Sequence, residues 1–306
     1  TTIEHLDYLN TSEVDDMRLM FSSCTSLETL DLSSFNTEKV KYMYAMFDGA
    51  TNLRSIKLPK GFIGSSVTDL RSMFKDCTSL TELDLSGSNA ENVKDMFYGC
   101  RALSKLDLTD FKTGQVTTME NMFCICSTLE TLDVSSFNTE NVTTMLGMFN
   151  NCSSLRSLDL PGFNTANVTQ MSSMFEKCSS LRSLDLSSFN TRKVAYMQNM
   201  FQGCTNLESI DLSSFDTENM KSMIGMFFSC TKLETLDLSS FATPKMVSMV
   251  DAFSNCKNLK TIYVTSAFTT EKVTLDFSIF DGCVNLPNFN PAKTSVEMAH
   301  TGAGGY

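Results

Sequence analysis

The sequence predicts an α/β solenoid of about eleven stacked rungs, each a strand, a turn and a short helix. Three observations predict it. A phenylalanine recurs at Phe21, Phe47, Phe74, Phe97, Phe123, Phe149, Phe175, Phe201, Phe227, Phe253 and Phe280. Three residues after each comes a small residue: Cys24, Ala50, Cys77, Cys100, Cys126, Cys152, Cys178, Cys204, Cys230, Cys256 and Cys283. Between them runs a leucine pattern, L-x-x-L-x-L, as in Leu155, Leu158 and Leu160. From Phe97 to Phe253 every step is 26 residues; elsewhere two steps are 27 and one is 23. A unit that cannot bury its apolar stripe alone does so by stacking on its neighbours.

The strand comes first in each unit. In "LRSLDLPGFNTANVTQMSSMFEKC", from Leu155, apolar Leu158 and Leu160 flank outward Asp159, the alternation of a short strand. The turn follows at Phe163 and Asn164. A column of Asn recurs there, at Asn36, Asn89, Asn138, Asn164 and Asn190, and is expected to be buried and to satisfy backbone groups of adjacent coils. The helix is the third element. Val168, Met171, Met174 and Phe175 are spaced as one face of a short α or 3₁₀ helix, with Thr165 as its N-cap. "TPKM" places Pro244 directly after Thr243, which suits a first helical position. At about 4.8 Å per rung, eleven rungs make a rod or arc about 50 Å long. The solenoid is expected to span 1–286, with 287–306 ("HTGAGGY" at its end) a tail or linker.

L-x-x-L-x-L-x-x-F-N is the leucine-rich-repeat pattern. The fuller unit, "LDLSSFNTENVTTM..MF..C..L", resembles the 26-residue repeat of BspA-like leucine-rich-repeat surface proteins over roughly residues 14 to 286. The resemblance implies an extracellular, cell-surface or secreted bacterial adhesin that contacts host or cell-surface proteins. Thr1 falls inside a repeat, so a longer parent chain is expected, with any leader or anchor outside this one.

Composition excludes several classes. Net charge is −11, from 24 basic and 35 acidic residues, which argues against nucleic acid and anionic membrane surfaces and permits a basic partner. No apolar run approaches membrane-spanning length. The two histidines, His5 and His300, stand near opposite ends, so a cysteine nucleophile lacks a base; no catalytic residue, metal ligand or cofactor is expected. A catalytic constellation occurs once, and this one occurs about eleven times. The ten lattice cysteines read as small apolar residues in a tight slot, because Ala50 fills the same slot. Cys124 lies off the lattice and is expected to be an exposed thiol.

The candidate binding residues form a column. Seven consecutive rungs place Asp between the two inward leucines, at Asp84, Asp107, Asp133, Asp159, Asp185, Asp211 and Asp237; Asp31 matches them beyond Lys57. Stacked carboxylates about 5 Å apart repel by about 1 kcal/mol per neighbour in water. Hydroxyls stand ready to offset this: Ser157 and Ser183 before the Asp, and Ser135, Ser187, Ser213 and Ser239 two residues after it. Two readings follow: solvated carboxylates held by hydroxyls, or a column that binds cations or a basic protein. Arg156 and Arg182 are expected at the rim of this face. A sheet face showing Asp, Ser and Thr suggests a polar, salt-sensitive contact with a protein partner. The competing reading is a structural spacer, favoured by the near-identity of the middle rungs. The short step between Val93 and Phe97 is expected to tighten or kink the solenoid near residue 95.

Overall fold

The computed structural model describes residues 1–287, 289 and 290. It is a β-solenoid. Eight parallel strands of three residues are assigned among the described residues: β1 Thr29–Asp31, β2 Ser55–Lys57, β3 Glu82–Asp84, β4 Lys105–Asp107, β5 Ser183–Asp185, β6 Ser209–Asp211, β7 Thr235–Asp237 and β8 Thr261–Tyr263. They pair in register as β1–β2, β3–β4, β5–β6 and β7–β8, so that Leu184 lies beside Ile210 and Asp185 beside Asp211. The central residue of each strand points into the core and the two flanking ones point out.

The short helices are absent. The one helix assigned among the described residues is a 3₁₀ turn, Leu6–Tyr8. Where helices were expected, the chain forms a second column of contacts between rungs. Parallel bridges run from Thr118 through Thr144, Gln170, Tyr196, Ser222 and Ser248 to Leu275. Within one rung the N–H groups alternate in direction. Those of Met145, Gly147 and Phe149 donate to the next rung's Gln170, Ser172 and Met174 at 2.9–3.0 Å. Those of Met148, Asn150 and Cys152 close tight turns back onto Met145, Gly147 and Phe149. A chain of overlapping β-turns thus replaces the helix, and residues such as Gly147 and Asn151, both at φ 59°, supply its left-handed corners. Apolar steps of three, three and one suit both geometries, so periodicity could not separate them. Pro244 fits equally well: the Met246 N–H donates to the Thr243 carbonyl, and Pro244 holds the second position of that turn.

The rung count is also lower. Strand positions from Thr29 to Thr261 enclose about nine full turns rather than eleven. The phenylalanine count overshoots because the segments carrying Phe21 and Phe280 lie beyond the first and last complete coil. The expected kink near residue 95 does not occur either. Phe74 and Phe97 stack at 5.7 Å with an interplanar angle of 4°, in line with the rest of the column. Instead Ser88, 1 % exposed, takes the place of the turn phenylalanine, and the loop before Val93 tightens. Of the expected tail, Pro287, Phe289 and Asn290 are described, and Phe289 packs partly buried against the core; 288 and 291–306 lie outside the described residues.

One continuous apolar core runs from Met17 to Leu286. Its spine is the phenylalanine column, whose ten successive ring pairs stand 5.2–5.9 Å apart. Offset stacks of this kind add about 0.5–1.5 kcal/mol per pair beyond area burial. A buried threonine column locks the rungs together. Thr165 is buried; its Oγ1 donates to the Asn190 carbonyl at 3.0 Å and accepts the Asn190 N–H at 2.7 Å. Thr113 and Thr191 do the same with Asn138 and Asp216. The threonine is therefore an inter-rung clamp and not an N-cap. The asparagines are not buried: exposed Asn138 and Asn190 use Oδ1 to accept the N–H two residues on.

Candidate binding face

The aspartate column lies on the strand face, and every member is exposed. Register places Asp84 beside Asp107 and Asp185 beside Asp211. Six of the seven carboxylates accept the backbone N–H two residues on, at 2.9 Å: Ser86 to Asp84, Thr109 to Asp107, Ser135 to Asp133, Ser187 to Asp185, Ser213 to Asp211 and Ser239 to Asp237; the residue two on from Asp159 is Pro161, which has no N–H to give. The serine hydroxyls, followed by these N–H groups, hold the carboxyls of Asp133, Asp185, Asp211 and Asp237 below the usual range. For Asp107 the Thr109 backbone N–H leads, and repulsion from Asp133 opposes it weakly. Asp31, bonded to Ser33 and Lys57, is held down to about 2.

Arg182 immediately precedes β5 and Arg156 holds the equivalent place one rung earlier, and neither is free. Arg156 Nη2 donates to Glu130 Oε1 at 3.0 Å, and Arg182 Nη1 lies 3.7 Å from Glu208 Oε1. Lys260 pairs with Glu234 in the same way at 2.8 Å. One position before the strands thus carries a charge ladder between neighbouring rungs. At about 50–80 % side-chain exposure each such pair contributes about 0–1 kcal/mol. These pairs are better suited to fixing register than to stabilising the fold.

The face is not uniform. An open cleft of about 620 Å³ lies over β3 and β4, lined by Ile56, Glu82, Asp84, Lys105, Asp107 and Asp133 among others. A second, of about 340 Å³, lies beside the extra residue at Gly61 and the shortened rung at Ser88. The strand face is therefore shaped where the repeat is irregular.

The cysteines serve the scaffold. All eleven are free thiols. Cys152 Sγ donates to the Phe123 carbonyl and Cys178 Sγ to the Phe149 carbonyl, each at 3.1 Å, and the pattern repeats along the column. Each such carbonyl also accepts the N–H of the cysteine in its own rung, so the slot demands a small residue and, at every buried lattice position but Ala50, also uses its donor. Sequence reasoning missed that donor role. Cys124 is not an exposed thiol: it is 6 % exposed, and burial pushes it up to about 12. Among the described residues, no group of three or more His, Cys, Asp or Glu is arranged to hold a metal, and no helix is long and apolar enough to cross a membrane.

A family model described as "Mycoplasma protein of unknown function, DUF285" matches residues 1–106, 91–184 and 181–292. The chain belongs to this family. This DUF285 chain is a β-solenoid, and the family model does not itself name the BspA-like group that the repeat resembles. No curated protein matches it. Among solved structures, a leucine rich cell surface protein from Faecalibacterium prausnitzii A2-165 is 20 % identical, over 88 % of this chain and 74 % of that one, with a TM-score of 0.46. A leucine-rich repeat protein from Bacteroides ovatus ATCC 8483 is 16 % identical, over 88 % and 79 %, with a TM-score of 0.36. Another, from Eubacterium ventriosum ATCC 27560, is 19 % identical, over 84 % and 59 %, with a TM-score of 0.36.

Proposed function

We propose that this DUF285 chain is a non-enzymatic, cell-surface or secreted protein-binding module of the BspA-like adhesin type. Its exposed aspartate column receives basic side chains of a partner protein. The observation that carries this reading is a contrast between two columns. Asn138 and Asn190 close with a neutral amide oxygen the same two-residue turn that Asp133 and Asp185 close with a carboxylate on the strand side, and Asp159 keeps its charge although Pro161 offers it no N–H. The turn needs an acceptor, not a charge. Repeating a charge that repels its own neighbours at seven successive rungs needs another reason, and a basic partner supplies one. Each rung contributes little, and affinity builds along the column.

The test is binding of the chain to immobilised basic host matrix proteins across a salt series, with Asp107→Asn/Asp133→Asn/Asp185→Asn as control. Binding that weakens steadily with salt and falls in the triple variant supports the reading. No binding at low salt instead makes the rod a spacer, as its unbroken phenylalanine column would suit.

A further inference from the structure

The opposite face, formed by the turn segments, breaks the repeat in a way the strand face does not. One column there reads Arg18, Tyr44, Arg71, Lys94 and Glu120, then Leu146, Ser172, Gln198, Ile224 and Val250. Every cation–π contact among the described residues falls in its first rungs. The Tyr44 ring lies between two guanidinium groups, Arg18 at 5.4 Å and Arg71 at 4.8 Å. Arg18 also covers Tyr42 at 5.3 Å, and Lys75 covers Tyr98 at 5.6 Å. Carboxylates of the same rungs fix the arginines from the side: Asp16 takes Nε and Nη2 of Arg18, and Asp69 Oδ2 lies 3.1 Å from Arg71 Nε. Arg71 keeps both Nη groups without an acceptor among the described residues, on a side chain 51 % exposed. Tyr42 and Leu19 stand exposed nearby, at 41 % and 51 %.

We propose that this patch is a second interaction surface, which binds a carboxylate-bearing segment of a partner protein through the Arg71 guanidinium. A guanidinium stacked on an aromatic ring and held by its Nε is pre-organised, so little rotamer entropy is lost when its two outer nitrogens grip a carboxylate. Arg and Tyr are also the residues enriched at the energetic centres of protein interfaces. Arg18 and Arg71 cover Tyr44, so that ring is not free to stack on a sugar, while exposed Tyr42 and Leu19 offer apolar contact to side chains. A protein segment is therefore the favoured occupant over an acidic glycan. The surface acts independently of the aspartate column and asks for the opposite charge.

The probe is a fluorescein-labelled peptide of alternating Glu and Leu, followed by anisotropy. Wild type should bind it, and Arg71→Ala and Arg71→Lys should each weaken binding about tenfold, the loss expected for one charge-assisted bidentate contact. Asp107→Asn/Asp133→Asn should bind as wild type, so failure here and failure of the strand-face reading stay distinguishable. Because net charge is −11, long-range repulsion opposes the peptide, and moving from low to physiological salt should not weaken binding. Full binding in Arg71→Lys would reduce the patch to a point charge and overturn the proposal. So would the absence of peptide binding, or tighter binding of a sulfated oligosaccharide than of the peptide.

Discussion

Raising the pH should unfold this protein between about pH 9 and 10, and the thiol column sets that edge. Cys77, Cys100, Cys126, Cys152, Cys178, Cys204, Cys230, Cys256 and Cys283 are buried, and each gives its S–H to a backbone carbonyl. Burial raises Cys204 and Cys283 to about 12 and the other seven in the same direction. Unfolded, each ionises near its ordinary value of about 8.5. A folded value above the unfolded one means that the stability is fully present below about pH 8.5 and is lost as pH rises toward the folded value. One unit above the unfolded value, at about pH 9.5, each thiol removes about 1.4 kcal/mol, and nine together remove about 13 kcal/mol. That matches the whole stability of an ordinary domain, about 5–15 kcal/mol. The assay is the urea midpoint by circular dichroism, in reductant, from about pH 7.5 to 10. Replacing Cys152, Cys178, Cys204 and Cys230 by Ala should remove about 5 kcal/mol of the alkaline loss. An unchanged wild-type midpoint at pH 9.5 would refute the reasoning, as would thiolate absorbance appearing near pH 8.5 in the folded protein.

Three further outcomes follow from the polar columns and corners. Thr165→Val keeps the shape but strands the buried N–H and carbonyl that Thr165 serves on Asn190; it should cost about 1–3 kcal/mol by urea titration, and Thr165→Ser should recover most of that. Changing alternate column aspartates (Asp133, Asp185 and Asp237) to Asn keeps the turn acceptor and removes repulsion, so the melting temperature should rise in low salt and the gain should vanish in high salt; a fall in melting temperature would mean the charge itself holds the fold. Gly147→Ala should cost about 1–2 kcal/mol in thermal melts, because φ is +59° there and a Cβ would collide with Asn121 Oδ1. Indifference to that change would mean the corner is not held in the left-handed region.

The solenoid was legible because its two strongest signals, the phenylalanine step and the alternating leucines, report stacking directly. The helices were misread because Val142, Met145, Met148 and Phe149 fall on one side of a helix and also on one side of a run of tight turns. The deciding signal lay between them, at Gly147, Asn151, Asn199, Gly203 and Gly225. These residues tolerate left-handed backbone and are poor helix formers. Threonine and asparagine exchanged roles because both are adjacent turn formers, and only coordinates show which one faces inward. The aspartate column was visible in the sequence, and its exposure follows from strand alternation. The Arg18–Tyr44–Arg71 ladder was not, since its members are 26 and 27 residues apart and meet only when the rungs are laid over one another.

The hydrogen bonds that join one coil to the next run along the axis of the rod, so a pull on its ends loads them in series. Every coil then carries the same force, and an end coil, held by a neighbour on one side only, yields first; it releases about 90 Å of slack from 26 residues while its neighbours stay wound. Stretched in optical tweezers, such a molecule would lengthen in a staircase of similar treads, so that it extends a long way before it breaks.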